Sequence, residues 1–381
     1  MQTGLYLDYC ATTPLHPRVL KAMQLGLERD FGNPSSMHLY GRKARQLVEE
    51  ARNQVAAGIG SSPEEIIFTS GATESNNLAL SGTLHQLAPK KNHLITTAIE
   101  HHAVLHCAEA LEKDGFQLTI LPVDASGLVS ADDLLNSIQP DTGLISIMMV
   151  NNEIGTLQDL RPLTEIAHEN GILFHTDAVQ ALPCLEVDVQ SLGVDLLSLS
   201  GHKIYGPKGI GALYLKAGTA LQPSFYGGSQ ENKLRPGTEN VPGIIGLGTA
   251  MSLRTGNLAS RRAHLQDLRE TLIRGLKEIN PGCSINGCAE QLSPHVISVS
   301  FQDTDGELLL FHLSQEAVAV SLGSACTSED LEPSHVLSAI GLPPEQIAGT
   351  VRISLGEPTT PQEIERFLNI LPAALKRAAV K

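Results

Sequence analysis

Two lysines stand in the run SLSGHKIYGPKGIGALY, residues 198–214, between apolar segments that read as buried strands. Lys203 lies just past the carboxyl end of VDLLSLS. A lysine partly desolvated at such a junction has a lowered pKa and can form an imine with an aldehyde. It can equally run its ammonium out to the surface. The residue types barely separate Lys203 from Lys208, but Ser200 and His202, which could serve a phosphate, flank Lys203. A second element of chemistry lies upstream. IIFTS ends a strand, and Gly71-Ala72-Thr73-Glu74-Ser75 opens a helix. Free backbone amides, a threonine hydroxyl and the helix dipole suit a phosphate there, although an ordinary capped glycine turn looks the same. A third is Asp177, which follows the apolar strand of GILFHTDAVQA. Ligands of open α/β sheets collect at the carboxyl ends of strands. A carboxylate there holds a positive partner or simply caps the next helix.

Taken together, a phosphate cradle, an acid for a ring nitrogen and an imine-forming lysine are the set that pyridoxal phosphate needs. The common nucleotide loops do not fit. Gly206 to Gly211 has the wrong spacing for a dinucleotide fingerprint, and Gly206 is followed by Pro207 rather than by the Lys-Ser/Thr of a P-loop.

The elements that would position these residues follow from the apolar pattern. EIIFTS, HLITTAI, FQLTILPV, GLISIMMV, GILFHTDAV, DLLSLS and GIGALYL are short apolar runs. Helical stretches of roughly 10–16 residues separate most of them, such as 73–88, 101–114 and 159–170. That alternation predicts an α/β fold with a mostly parallel sheet covered by helices on both faces. Beyond residue 256 the pattern changes: a charged helix over 258–279, HVISVSF, the helix GELLLFHLSQ, AVAVSLGSA, a helix near 335–341, TVRISLG and a last helix. The last helix opens with Thr360-Pro361-Gln362-Glu363, a capping box with proline at its first position, and lines one face with Ile364, Phe367, Leu368 and Leu371. The expected organisation is a large α/β domain over 15–255 and a small α+β domain from 1–14 and 256–381.

Composition bounds the partners. The 381 residues carry a net charge of −14, which argues against nucleic acid or an anionic membrane. The chain is 42% hydrophobic but only 4% aromatic, so aliphatic side chains must fill the core. The opening MQTGLYLDYC does not read as a signal peptide, and the apolar runs are too short to span a bilayer, so a cytoplasmic protein is expected. Its six scattered cysteines are then expected as thiols.

The chain resembles the cysteine desulfurases of the NifS/IscS kind, within the fold-type-I pyridoxal-phosphate enzymes of the class-V aminotransferase family. LDYCATTP, FGNPSSMH, TSGATESNN, EHHAV, VNNEIGT, HTDAVQ, SGHKIYGPKGIGALY, GGSQENKLRPGTEN, GSACTSEDLEPSHVL and VRISLG occur in the family's order. The resemblance implies a seven-stranded, mostly parallel sheet flanked by helices. It implies that Lys203 carries the cofactor and that His101 stacks on its ring and assists proton transfer. Asp177 would pair with the ring nitrogen and Gln180 with the phenolate oxygen. Ala72, Thr73, Ser200 and His202 would hold the phosphate, and Thr238 would reach the phosphate of a neighbouring subunit in a homodimer. Asn152 and Arg352 would bind the carboxylate of L-cysteine, a task that suits the arginine fork.

Cys326 lies in Gly323-Ser324-Ala325-Cys326-Thr327-Ser328-Glu329-Asp330, a small, polar stretch that reads as an exposed loop. A single cysteine is commonly buried and inert. The resemblance makes Cys326 the nucleophile that takes the substrate sulfur as a persulfide, leaves L-alanine, and passes the sulfur to an acceptor such as an iron–sulfur scaffold. The alternatives are a selenocysteine lyase or cystine/cysteine C–S lyase of the same fold, which would not need Cys326, and a non-catalytic sulfur-relay or scaffold subunit, which need not keep Lys203, Asp177 and His101. No metal site is expected: His102 and His106 are four apart on a helix but lack an ordered third ligand. Departures from the family pattern are Gln230 where some relatives carry histidine, Cys10 for a small residue, and Leu322 before GSACTS.

Overall fold

The computed structural model describes residues 4–322 and 333–380. Strand β1 (Leu5–Tyr6) and helices α1 (Pro17–Glu28) and α2 (Leu39–Ile59) precede β2 (Ile66–Thr69). The alternating region follows as α3 (Ala72–Leu87), β3 (His93–Thr97), α4 (His102–Lys113), β4 (Gln117–Leu121), α5 (Ala131–Ser137), β5 (Thr142–Ser146), α6 (Leu160–Glu169), β6 (Leu173–Asp177), α7 (Val189–Leu192), β7 (Leu196–Ser200) and β8 (Gly211–Leu215). The remainder is α8 (Val241–Ile279), β9 (Ser284–Asn286), β10 (Val296–Ser300), α9 (Gly306–Gln315), β11 (Val318–Ala319), α10 (His335–Ala339), α11 (Pro344–Ala348), β12 (Thr350–Ser354) and α12 (Pro361–Ala378). Among the described residues no helix is long and apolar enough to cross a membrane.

Each of the seven apolar runs becomes a strand of one sheet, in the order β2-β8-β7-β6-β5-β3-β4. β8 is antiparallel to both neighbours and the other pairs are parallel. β3, β5 and β7 are buried along their whole length, which is why they read as unbroken apolar runs. Because β2 and β7 both oppose β8, β2 runs with the parallel set. The carboxyl ends of β2, β3, β5, β6 and β7 therefore open on one edge of the sheet.

The C-terminal strands form an antiparallel sheet of order β12-β10-β9, in which Ser298 faces Arg352. β1 pairs in parallel with β11. Among the described residues of AVAVSLGSA, Val318–Ala319 form a strand; Ser321 and Arg352 then exchange backbone hydrogen bonds of 3.1 and 2.7 Å. The capping box of α12 forms as read: Glu363 N donates to Thr360 Oγ1 at 3.2 Å, and Thr360 N donates to the Glu363 carboxylate at 2.8 Å. Phe367 of that helix is fully buried with Phe174 and Phe301, each burial stabilising by roughly 1.5–3 kcal/mol.

One element departs from the sequence reading. The helix expected over 258–279 begins at Val241 and runs unbroken across the expected domain boundary at 255/256. Glycines 243, 246, 248 and 256 hide its first half, since glycine weakens helix propensity. Packing against α2 overrides that preference: a Cβ at Gly248 would stand 2.7 Å from Ala51 Cα. The same helix buries Arg254, whose guanidinium donates to the carbonyls of Leu182, Leu185 and Gly58. A contiguous apolar core joins the large sheet, through Phe68, Ile145 and Leu197, to the C-terminal layer at Ile297 and Val351.

Candidate active site

A cavity of about 610 Å³ opens at the edge where those carboxyl ends converge. It is lined by Ala72, Thr73, His101, Asn152, Asp177, Gln180, Ser200, His202, Lys203 and Arg352, residues that the sequence proposes from six separate segments. Thr238 is exposed and is not among the lining residues. Cys326 lies outside the described residues.

Lys203 closes a tight turn after β7, in which Ile204 N and Gly206 N both donate to Gly201 O. Its Nζ donates to the backbone carbonyls of Cys10 and, at 2.9 Å, Ala11. The segment carrying them is docked onto the turn: Thr13 N donates to His202 O at 3.0 Å, and Tyr205 N to Thr13 Oγ1 at 2.8 Å. Lys208, the other lysine of the run, is exposed at the rim. Burial lets the two lysines be told apart where residue type could not.

Asp177 ends β6 and is 5% exposed. Asn76 Nδ2 donates to Oδ2 at 2.7 Å and Val179 N to Oδ1 at 3.0 Å. Both donors are neutral, so a buried carboxylate faces the cavity with its charge uncompensated by them. The neighbouring Glu100 is also buried, and desolvation pushes its carboxyl up to about 8. It is therefore a poor competitor for the negative charge at neutral pH.

His101 caps α4. Its Nδ1 accepts Ala103 N at 3.0 Å, which places the proton of the neutral ring on Nε2. Burial lowers its pKa, with Asp177 opposing and Lys203 assisting that shift. His202 Nδ1 meets Thr12 Oγ1 at 3.1 Å; burial first, then Lys203 and Lys208, holds its pKa down to about 4. Ser200 is buried at the end of β7, and Ala72 and Thr73 form the first turn of α3.

Arg352 reaches the cavity from β12. Its guanidinium donates to Asn152 O at 3.0 Å and pairs with Asp8 at 3.0 Å. Its Nε has no partner among the described residues. Glu153 also lines the cavity, buried with one oxygen accepting Ser334 Oγ at 2.6 Å and the other unpartnered among the described residues.

The donor set fits pyridoxal phosphate on this geometry. A buried carboxylate held by the neutral donors Asn76 and Val179, a lysine at a strand end, and a helix start with serine, threonine and neutral histidine nearby match a pyridinium, an aldehyde and a phosphate respectively. His102 and His106 do not extend the set: their rings stack with centroids 4.7 Å apart, and His102 packs on His335 at the same spacing. Among the described residues no group of three or more His, Cys, Asp or Glu is arranged to hold a metal.

The profile of the aminotransferase class-V family matches residues 5–367. The cysteine desulfurase IscS of Dictyoglomus turgidum is 49% identical over 377 residues, 99% of this chain and 96% of the relative. The chain belongs to the NifS/IscS-type cysteine desulfurases of the class-V aminotransferase family. That family is pyridoxal-phosphate-dependent. Among solved structures, a NifS-like protein superposes with a TM-score of 0.93 at 38% identity, covering 98% of this chain and 100% of its own. SspA in complex with cysteine superposes with a TM-score of 0.84 at 40% identity, covering 93% of this chain and 99% of its own.

Sequence reasoning missed several residues of this desulfurase-family site. Asn76 sits one turn into α3 and orients Asp177 from a neighbouring element. Asp8 binds Arg352 from 344 positions away. His295 meets the Gln180 side chain and carries no signal in SPHVISVSF. Only Asn76 had a clue: an asparagine pair one turn after the phosphate-type glycine, followed by the small and apolar run LALSG.

Proposed function

We propose that the chain converts L-cysteine to L-alanine and retains the sulfur as a persulfide on Cys326 for transfer to an acceptor. The observation that carries the reading is the single cavity that unites Lys203, Asp177, His101 and Arg352. Bound pyridoxal phosphate supplies an electron sink for the charge left when the substrate Cα loses its proton. Asp177 holds the proton on the ring nitrogen, and Gln180 donates to the ring oxygen. Thr73, Ser200, His202 and the Ala72 amide hold the phosphate. Arg352 and Asn152 take the substrate carboxylate; the Nε of Arg352, unpartnered among the described residues, leaves the fork with capacity to do so. Lys203, freed from the carbonyl wall, moves the Cα proton. The Nε2–H of His101 is a donor and not a base in this tautomer, since Ala103 N occupies Nδ1.

The thiolate of Cys326 then attacks the substrate sulfur. The S–S bond forms, the Cβ–S bond breaks, and its electron pair ends as a C–H bond of alanine after protonation. The five described cysteines are all buried, and desolvation raises the thiols of Cys10, Cys107, Cys184 and Cys283. A thiol held neutral in the core is a poor nucleophile, which supports Cys326 in that role.

The working species is a homodimer in which Thr238 reaches the partner's phosphate. Exposed Leu27, Phe31, Met37, Leu39 and Tyr226, and the exposed Thr238, support that assembly. The large unit, residues 15–255, carries the cofactor wall, and the small unit, 1–14 with 256–381, brings Asp8 and Arg352 to it and includes Cys326 in its sequence. The acceptor is an iron–sulfur scaffold or another sulfur carrier, and the compartment is the cytoplasm. The test is alanine and persulfide formation from L-cysteine by the cofactor-loaded protein. Alanine in step with a persulfide on Cys326 is expected. Sulfide release without protein persulfide would make the chain a lyase, and no turnover would make it a relay subunit.

A further inference from the structure

Behind the cavity wall lies a buried chain of hydrogen bonds of which the reaction scheme above uses Gln180 and nothing beyond it. Gln180 Nε2 donates to Cys10 O at 3.0 Å, and Gln180 Oε1 meets His295 Nε2 at 3.1 Å. His295 Nδ1 meets Ser293 Oγ at 2.7 Å and Cys184 Sγ at 3.2 Å, and those two side chains are 3.1 Å apart. Gln180, His295, Ser293 and Cys184 are all buried, with His295 only 1% exposed.

The directions of these bonds are forced. A carbonyl oxygen only accepts, so the side of the Gln180 amide facing Cys10 O must be the NH₂ group. Flipping the amide would set two acceptors against each other at that 3.0 Å contact. Gln180 Oε1 therefore faces His295 and needs a donor, which fixes the imidazole proton on Nε2. The Nδ1 lone pair is then left to accept the hydroxyl of Ser293 or the thiol of Cys184. Both hold a proton: burial pushes the Cys184 thiol up to about 11. The imidazole itself stays neutral. Desolvation, with smaller contributions from Arg352, Lys203 and Arg269, presses its pKa to about 3. The chain is thus self-consistent from Ser293 to Cys10. It leaves one Gln180 N–H without an acceptor among the described residues, on a side chain that lines the cavity.

We infer that His295 is a positioning residue: by donating to Gln180 Oε1 it locks the amide so that its free N–H is presented to the ring oxygen of the cofactor. The inference rests on the reading of Gln180 as a cofactor contact and adds the second anchor, beside Cys10 O, that holds Gln180 as a donor rather than an acceptor there. With Cys10 O as its sole anchor the amide could swing or flip for part of its time and offer an oxygen to an oxyanion, which repels it. A donor held in place stabilises the ring oxyanion and weakens its grip on the neighbouring proton. The bound cofactor therefore loses that proton at lower pH.

The experiment is a spectrophotometric pH titration of the visible cofactor band in the loaded protein, without substrate. A charge-assisted hydrogen bond is strong enough that Gln180→Leu should move the band's apparent pKa up by about one pH unit. His295→Leu should move it in the same direction. The two together should move it no further than Gln180→Leu alone. His295→Gln places an amide N–H near the position of Nε2 and should restore most of the native value, while the shorter His295→Asn should not. These two polar replacements keep the test available should leucine prevent folding. A shift with Gln180→Leu but a native titration in every His295 variant overturns the positioning role. A native titration in Gln180→Leu overturns the reading of Gln180 itself, and the role of His295 with it. Loss of stability without a shift in the band, checked by thermal melting of the same samples, marks His295 as packing only and also overturns the inference.

Discussion

Asn76 Nδ2 donates to Asp177 Oδ2 at 2.7 Å, joining the second turn of α3 to the end of β6. The same helix begins at the proposed phosphate turn. One helix thus bears on both ends of the proposed cofactor site, the anion cradle through its N-terminus and the carboxylate through Asn76. Asp177→Asn should retain the phosphate contacts and bind cofactor, yet lose turnover by about 10²–10³-fold, as for other lost transition-state charge contacts. Asn76→Ala removes one hydrogen bond to a charged group and should cost about tenfold or more in kcat/KM. Steady-state alanine release with saturated cofactor checks both. Near-native turnover of Asp177→Asn would remove that carboxylate from the mechanism.

Lys203 and Lys208 make a direct comparison. Lys203 Nζ sits on the cavity wall beside the Cys10 and Ala11 carbonyls, and Lys208 is at the exposed rim. Borohydride reduction followed by peptide mass spectrometry should find the pyridoxyl group on Lys203. Lys203→Ala should abolish turnover and the visible band, while Lys208→Ala should keep both. An adduct on Lys208 would reverse the assignment.

Much of this was readable in the chain because strand ends are where α/β sheets place chemistry. The seven apolar runs became seven strands; Asp177 and Ser200 are the last residues of β6 and β7, and Lys203 and Thr73 follow the ends of β7 and β2 within a few residues. What escaped reading was of two kinds. The first half of α8 was hidden by glycines that packing against α2 requires. The residues that orient the site, Asn76, Asp8 and His295, act across 101, 344 and 115 positions, and no local pattern reports such contacts. The resemblance to known desulfurases named the groups proposed to touch the cofactor but was silent on the buried groups beside them.

Glu100 gives a pH prediction with a definite sign. Its carboxyl is raised to about 8 by burial, against about 4.3 in an unfolded chain. The native state therefore binds the proton more tightly than the unfolded one. The stability this contributes is fully present below about pH 4.3 and is lost as pH rises toward 8. Glu100→Gln keeps an acceptor for Met148 N and the Thr97 hydroxyl and cannot ionise. The melting temperature of Glu100→Gln minus that of the native protein should rise steadily between pH 5 and pH 8, since only the native carboxyl must be held protonated there. A difference that is flat across that range would show that Glu100 is already ionised in the folded protein.

Arg352 and Asp8 test the proposed carboxylate site. Their 3.0 Å pair holds the guanidinium in place on β12, with Asn152 O as its other anchor. Arg352→Lys keeps a charge but loses the planar fork, so KM for cysteine should rise about tenfold or more with a smaller change in kcat. Asp8→Asn should give a smaller rise of the same kind, because the fork remains but is less firmly held. An unchanged KM in Arg352→Lys would place the substrate carboxylate elsewhere.

The last prediction concerns Cys326, which decides between desulfurase and lyase. The described cysteines are buried, and the raised thiols of Cys10, Cys107, Cys184 and Cys283 leave them neutral near pH 7. The sulfur acceptor within the chain must therefore be sought in GSACTSED, whose residues are small and polar. Cys326→Ala keeps every group of the cavity, so the cofactor band and the spectral change on adding cysteine should remain native. Persulfide formation should vanish, and alanine release should fall close to the limit of detection. Selenocysteine, whose selenium leaves more readily than sulfur, should retain partial turnover. Iodoacetamide should reproduce the same pattern in the native protein, because alkylation removes the same lone pair. Conversion of cysteine to alanine by Cys326→Ala at close to the native rate would break the persulfide mechanism. The cavity would then belong to a lyase in which Cys326 takes no part.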